Sequence, residues 1–441
     1  MNSVIGIRRE DKNQWERRVP LVPADIKDLQ ERHGLRFLVQ PSGIRVYTDD
    51  EYRGAGLAVS EDLGPASIVL AVKEVPERLI QPGKVYVFFA HVAKGQAHNM
   101  PMLKRLMDLG CSVVDYEKIT DDRKRRLIFF GRHAGWAGMI ETLRALGQRL
   151  SLMGIATPLA EVRHAYQYPD LGAAREHLEK VGAAISRSGL PDTLSPLVFG
   201  FAGYGHVSTG AQEVFEWLKP VEIPVLDLPS AGEKIPSRAA PLIKAVFREE
   251  NMVERKDPGK PFDLQEYYDH PERYAGCFEK HLPHLDVLVN AIYWEPRYPR
   301  LVTRGWARRS YGSGRSPRLK VIGDISCDIE GSVELTLKAT DPDNPCFVYL
   351  PSEDAVRDGL EGDGPVIMAV DNLPCEIPRE SSQYFSSVLR ELVPPLAGAD
   401  WGKDFESLEL PGHLKRAVIV HRGELAPSYQ YLRNHLEAGS H

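Results

Sequence analysis

Between Pro196 and Leu218 the sequence reads PLVFGFAGYGHVSTGAQEVFEWL, and three of its glycines, Gly203, Gly205 and Gly210, fall where chemistry on a phosphate would need them. Leu197-Val198-Phe199 is too short an apolar run for a helix and is bounded by Pro196 and glycine, which predicts a buried strand. Beyond the glycines, from Ala211 on, Val214, Phe215 and Leu218 recur at helical spacing. Strand, glycine turn and helix in that order make a dinucleotide site: glycines let backbone N–H groups approach a pyrophosphate, and the helix amino terminus offers it partial positive charge. The spacing is G-x-G-x-x-x-x-G, not the usual G-x-G-x-x-G, so an ordinary glycine-rich turn is the competing explanation. Asp227, in PVLDLP about 20 residues further on, stands where a ribose-binding carboxylate is expected and favours a nicotinamide cofactor.

A second set of chemical groups lies in the amino-terminal third. Four apolar runs each stop at charged residues: Val4 onward at Arg8, SIVLAV at Lys73, VYVFFA at His91, and the run from Cys111 at Asp115 and Glu117. In parallel α/β sheets ligands bind outside the carboxyl ends of the strands, so four polar tips on one edge predict a substrate cleft. Taken singly, each is as well explained by a strand leaving for solvent.

The elements that must position these groups alternate. Strands are predicted at the four runs and at Arg36–Gln40, with helices from Pro23 to Gly34 and from Gln96 to Met107. RRLIFF (125–130) reads as a further strand, followed by an amphipathic helix from Trp136 to about Leu152 that is expected to join two domains. Asp170 caps a helix ending near Ser188-Gly189. Strands are expected at 285–292, 319–325, 347–350 and 366–370, with a helix at 381–392, whereas 231–283 is polar and irregular and yields no assignment. The whole predicts an α/β protein of two Rossmann-like domains with parallel sheets and an interdomain cleft. A substrate domain is expected from 1–135 with 346–441, and a dinucleotide-binding domain from 136–345.

The 441 residues suffice for two domains with their own cores. A net charge of −6 indicates no general affinity for nucleic acid or an anionic membrane. No apolar run approaches a membrane span and MNSVIGIRRED lacks a signal-peptide core, so a cytoplasmic location is expected. Five dispersed cysteines without a C-x-x-C pair predict reduced thiols and no metal site.

Several segments together resemble a known family: RREDKNQWERR with PLVP, FFAHVAKGQ, DYEK, FGRHAGWAGMI, GHVSTGAQ, HPERY, AIYWE with PRLVTR, DISCDIEGSVE and DNLPCEIPRE. The chain resembles the lysine–2-oxoglutarate reductase domain of the bifunctional α-aminoadipic semialdehyde synthases and, more distantly, lysine-forming saccharopine dehydrogenase and alanine dehydrogenase. The resemblance implies reductive condensation of L-lysine with 2-oxoglutarate to saccharopine, with NADPH as reductant, in lysine degradation. It implies Lys73 and His91 as acid–base groups, Arg18, Arg126 and Lys94 as carboxylate binders, and Glu16 and Glu117 as acids that orient amino groups and tune Lys73. Around the cofactor Gly203, Gly205, His206, Val207, Gly210 and Asp227 are expected, while Tyr293, Trp294 and Asp324 at strand ends either flank the nicotinamide or serve as core aromatics and a loop cap. The saccharopine-cleaving half of the bifunctional enzymes is not matched, so a free-standing reductase is expected, with a separate saccharopine-cleaving enzyme and self-association left open. An acid at Asp227 would favour NADH, whereas Lys234 and Arg238 soon after would suit a 2′-phosphate, so NADH stays open beside NADPH. Two other functions remain: an NAD-dependent saccharopine dehydrogenase, and an inactive dinucleotide-binding regulatory protein.

Overall fold

The computed structural model describes residues 4–231, 241–311 and 317–438, and the chain divides into two compact units, 1–129 with 378–441 and 130–377. The amino-terminal segment of the first unit supplies strands β1 (Val4–Ile7), β2 (Arg36–Val39), β3 (Ala58–Val59), β4 (Ile68–Leu70), β5 (Val85–Phe88) and β6 (Ser112–Asp115). They lie side by side in the order β6-β5-β4-β1-β2-β3, all parallel, and Val418–His421 from the carboxyl-terminal segment adds antiparallel to β6. Burial on both faces explains why β4 and β5 are continuous apolar runs, whereas β2 and β3 toward the sheet edge are partly exposed.

Helix Pro23–His33 forms where expected, with proline in its first turn, Ile26 and Leu29 buried, and Gly34 closing it at φ +64°. Helix Pro378–Gly398 belongs to this unit, and its Ser382 and Ser386 hydroxyls accept the Val19 and Val22 backbone N–H groups at 3.0 and 2.9 Å. The expected strand at 125–130 does not form. The Asp121 carboxylate takes the Arg123 and Arg125 backbone N–H groups, Lys124 has φ +61°, and the chain turns back on itself with one bridge from Thr120 to Arg126.

The second unit carries β7 (Leu197–Ala202), β8 (Val221–Glu222), β9 (Leu242–Phe247), β10 (Val253–Arg255), β11 (Tyr274–Gly276), β12 (Val287–Asn290), β13 (Val321–Asp324), β14 (Cys346–Leu350), β15 (Ala355–Asp358) and β16 (Val366–Met368). Its main sheet runs β15-β14-β16-β13-β12-β7-β9-β8, parallel from β16 to β8, with β14 and β15 antiparallel. Separate apolar cores cover its two faces. Because β14 pairs with β16, residues 346–377 belong to this unit and not, as expected, to the discontinuous one.

Helix Gly131–Leu152 starts five residues earlier than expected and lies within the second unit. Its glycines serve close packing. A Cβ on Gly135 would meet the Val207 carbonyl at 2.0 Å, so only glycine lets this helix cross helix His206–Glu216 with backbones touching. Much of the unassigned 231–283 stretch forms a small annex: β10 and β11 pair antiparallel, and Phe262, Tyr267, Tyr274 and Tyr298 pack together beside them. No helix among the described residues is long and apolar enough to cross a membrane.

Candidate active site

The first unit brings the four polar tips to one edge. β6, β5, β4 and β1 are consecutive parallel neighbours, so their carboxyl ends deliver Glu117, His91, Lys73 and Arg8 side by side. Glu10, just past Arg8, crosses to the tip of β4 and accepts the backbone N–H groups of Val72 and Lys73 at 2.7 and 2.9 Å. Burial, and then the charge of Glu16, push its carboxyl up to about 7 against those two hydrogen bonds. Glu16 and Arg18 form a buried fork, Arg18 Nε and Nη2 donating to the two carboxylate oxygens at 2.7 and 2.6 Å. Beside them the Lys73 ammonium is lowered from its usual value, by burial first and by Arg18 second, with Glu16 and Glu74 opposing.

His91 holds the adjacent tip. Its backbone takes φ +48°, rare for a residue with a Cβ, and its carbonyl accepts from Asn99 Nδ2 at 3.1 Å. Its Nδ1 lies 2.8 Å from Glu74 Oε1, and Glu74 Oε2 accepts from Lys12 Nζ at 2.8 Å. Burial alone would raise the Glu74 carboxyl, but the bonds to His91 and Lys12 hold it well below the ordinary carboxylate range. Buried Asp115 ties the next tip in, accepting from Glu117 N at 2.9 Å and Ala90 N at 3.4 Å, and burial pushes it up to about 6. Glu117 pairs with Arg126, so these two expected substrate residues meet each other. The acids whose charges act most on Lys73 are Glu16 and Glu74. Lys94 is exposed on the turn after Ala93.

In the second unit Gly203 adopts φ +94°, and the space where a Cβ would stand on Gly205 is empty for 4 Å. Gly205 is the residue before helix His206–Glu216, so His206 and Val207 open that helix at the turn. Gly210 has a different task from the one expected. It lies inside the helix, and a Cβ there would meet the Arg132 carbonyl at 2.2 Å, so it serves helix packing and not phosphate approach. Asp227 also moves out of its expected role. It follows edge strand β8, and β9 intervenes between β8 and the glycine strand. Lys234 and Arg238 lie outside the described residues. Asp324 is buried with its two oxygens taken by Asn290 Nδ2 at 2.8 Å and Thr336 Oγ1 at 2.5 Å, which makes it a clamp across strand ends and not a wall of a nicotinamide site. Tyr293 is exposed and bonded to Glu295, and with Trp294 it lines a cavity of about 370 Å³ that reaches Gly203 and Gly205.

Residues 6–137 match the family model of the alanine dehydrogenase/PNT N-terminal domain. Over 98% of its length the chain is 39% identical to α-aminoadipic semialdehyde synthase of Arabidopsis thaliana. The chain is a homologue of α-aminoadipic semialdehyde synthase. This homologue spans 41% of that relative's length. It is also 27% identical, over 87% of the chain and 90% of the relative, to the NAD(+), L-lysine-forming saccharopine dehydrogenase of Emericella nidulans. Among solved structures an L-alanine dehydrogenase superposes with TM-score 0.62 at 20% identity, covering 98% of this chain and 99% of the other, which shows a shared fold. Sequence reasoning had not singled out Glu10 and Glu74, and had read Asp115 only as the end of a strand. Each sits within three residues of a group that had been flagged, so the signal was present as an acid beside a strand tip.

Proposed function

We propose that the chain is a lysine–2-oxoglutarate reductase that uses NADPH to join the ε-amine of L-lysine to the ketone of 2-oxoglutarate and form saccharopine. The observation that carries this is the pairing of a lysine of lowered pKa with a carboxylate-oriented histidine on adjacent strand tips, Lys73 and His91–Glu74, next to the Arg18–Glu16 fork. The names of the relatives support it.

The chemistry asks three things of the chain. The substrate ammonium must lose a proton before its nitrogen attacks the ketone, the carbinolamine must gain one to expel water, and the resulting imine must be protonated to accept hydride. Lys73 at lowered pKa is suited to take and return the first proton. His91, with Nδ1 fixed on Glu74, presents its other ring nitrogen for the proton that leaves with water. Arg18 and Arg126 supply guanidinium donors for the substrate carboxylates, each held in place by a glutamate. NADPH supplies the hydride, and Gly203, Gly205 and the first turn of helix His206–Glu216 would hold its pyrophosphate.

The test is oxidation of NADPH dependent on both L-lysine and 2-oxoglutarate, with saccharopine identified by mass. Turnover only in the direction of NAD-linked saccharopine cleavage, or binding of NADPH without turnover, overturns the proposal.

A further inference from the structure

The topology of the second unit changes which residue reads the adenosine ribose. In a dinucleotide-binding sheet that residue stands at the carboxyl end of the strand flanking the glycine strand: an acid for an unmodified ribose, an arginine nearby for a 2′-phosphate. Here the flanking strand is β9, which comes after β8 in the chain but lies between it and β7. Ala202 pairs with Phe247, and Gly203 N donates to the Phe247 carbonyl at 3.1 Å, so Arg248 is level with the first glycine of the turn.

Two further observations place Arg248 beside a pocket at the turn, and one weighs against it. Its guanidinium lies 4.5 Å above the ring of Tyr204, the residue between Gly203 and Gly205, which fixes a cation against the turn. The cavity of about 370 Å³ opens beside it, lined by Gly203, Gly205, Tyr267, Tyr268 and Trp294, an aromatic enclosure of a size to take a purine. Glu249 also lines this cavity, its Oε1 accepting from the Tyr268 hydroxyl at 2.7 Å, and its charge opposes a phosphate, so the Arg248 guanidinium has to outweigh it.

We propose that Arg248 binds the 2′-phosphate on the adenosine ribose and that the aromatic annex seats the adenine beside it, so that this chain selects NADPH over NADH. The inference rests on dinucleotide binding at the glycine turn, as the proposed function does, and adds the residue that discriminates.

The test is titration of the full chain, without substrates, with NADPH, NADH, 2′,5′-ADP and 5′-AMP. The parent protein is expected to bind NADPH and 2′,5′-ADP at least tenfold tighter than NADH and 5′-AMP. Arg248→Ala should weaken NADPH and 2′,5′-ADP by about 10–100-fold, the range for a hydrogen bond to a charged group, while NADH stays within about threefold. Arg248→Lys should recover part of the loss, since a point charge replaces the planar fork. Trp294→Ala, which removes an aromatic wall without touching Glu249, should weaken all four ligands by a common factor. Equal affinity of the parent for NADPH and NADH, or equal loss of both in Arg248→Ala, overturns the assignment of Arg248 and leaves dinucleotide binding standing. Binding of neither dinucleotide to the parent overturns both.

Discussion

A lysine side chain with its ordinary pKa near 10.4 is protonated at neutral pH and cannot accept a proton from a substrate ammonium. Lys73 is lowered because it is half-buried and beside Arg18, and its backbone is fixed by the Glu10 carboxylate from the loop after β1. Lys73→Met and His91→Ala are each expected to lower turnover by about 10²–10⁴-fold, the usual share of a general acid or base, with NADPH affinity in direct titration unchanged within about twofold. A parallel loss of cofactor affinity would place these groups elsewhere. Glu10 gives a second expectation through its own titration. Its carboxyl is raised by burial from 4.5 to about 7, so the folded state holds a proton that the unfolded chain releases. That contribution to stability is complete below pH 4.5 and is lost as pH rises through about 7, roughly 3 kcal/mol across the window. Denaturant unfolding from pH 4.5 to 8 should therefore show a steeper decline in the parent than in Glu10→Gln. Identical slopes would mean that Glu10 is not buried as described.

At the scale of elements, the glycine turn and the helix behind it separate two uses of glycine that sequence spacing runs together. Gly205 faces open space at φ −76°, so alanine there fits the fold and intrudes only on a ligand. Gly210 touches the Arg132 backbone and has no room for a methyl group. Gly210→Ala is expected to destabilise the protein by about 1–3 kcal/mol through overpacking, whereas Gly205→Ala should leave the melting temperature unchanged and weaken dinucleotide binding. Calorimetry and cofactor titration on the two variants separate the effects, and the reverse pattern would return Gly210 to the phosphate site. The strand–turn–helix unit was legible from the sequence because Leu197–Phe199, Gly203 and Val214–Leu218 obey local periodicities. The role of Gly210 was not, since it depends on helix Gly131–Leu152, about 70 residues earlier, crossing at that point. Asp227 misled for a related reason. Chain order puts it after the next strand, but pairing order puts β9 in between, and no local pattern encodes which of two short strands pairs with β7. Lys73 and His91 could be picked out because parallel strands with charged tips need only their own residues to be recognised, while the Glu74–His91 contact needed the neighbouring strand's position.

Across the whole molecule the two units differ in how the chain builds them, and that difference predicts how they respond to truncation. The second unit is one continuous segment, 130–377, with its own apolar cores on both sheet faces. The first unit needs both ends of the chain. Val418–His421 pairs with β6, and helix Pro378–Gly398 satisfies the Val19 and Val22 N–H groups through Ser382 and Ser386. A chain ending at 377 therefore leaves β6 as an open edge and exposes to water the apolar surface that Phe385, Leu389 and Leu392 of that helix cover. Segment 130–377 expressed alone is expected to unfold cooperatively and to bind NADPH within about tenfold of the full chain, without turnover on L-lysine and 2-oxoglutarate. Segment 1–377 is expected to keep that binding while its amino-terminal third exchanges backbone amides freely and is cut by protease. The decisive measurement is amide exchange read separately over 4–115 and 197–290 in the two truncated chains and the full chain. Protection of β1–β6 in the 1–377 chain equal to that in the full chain would show that the carboxyl-terminal strand and helix are dispensable to the sheet that holds Lys73 and His91.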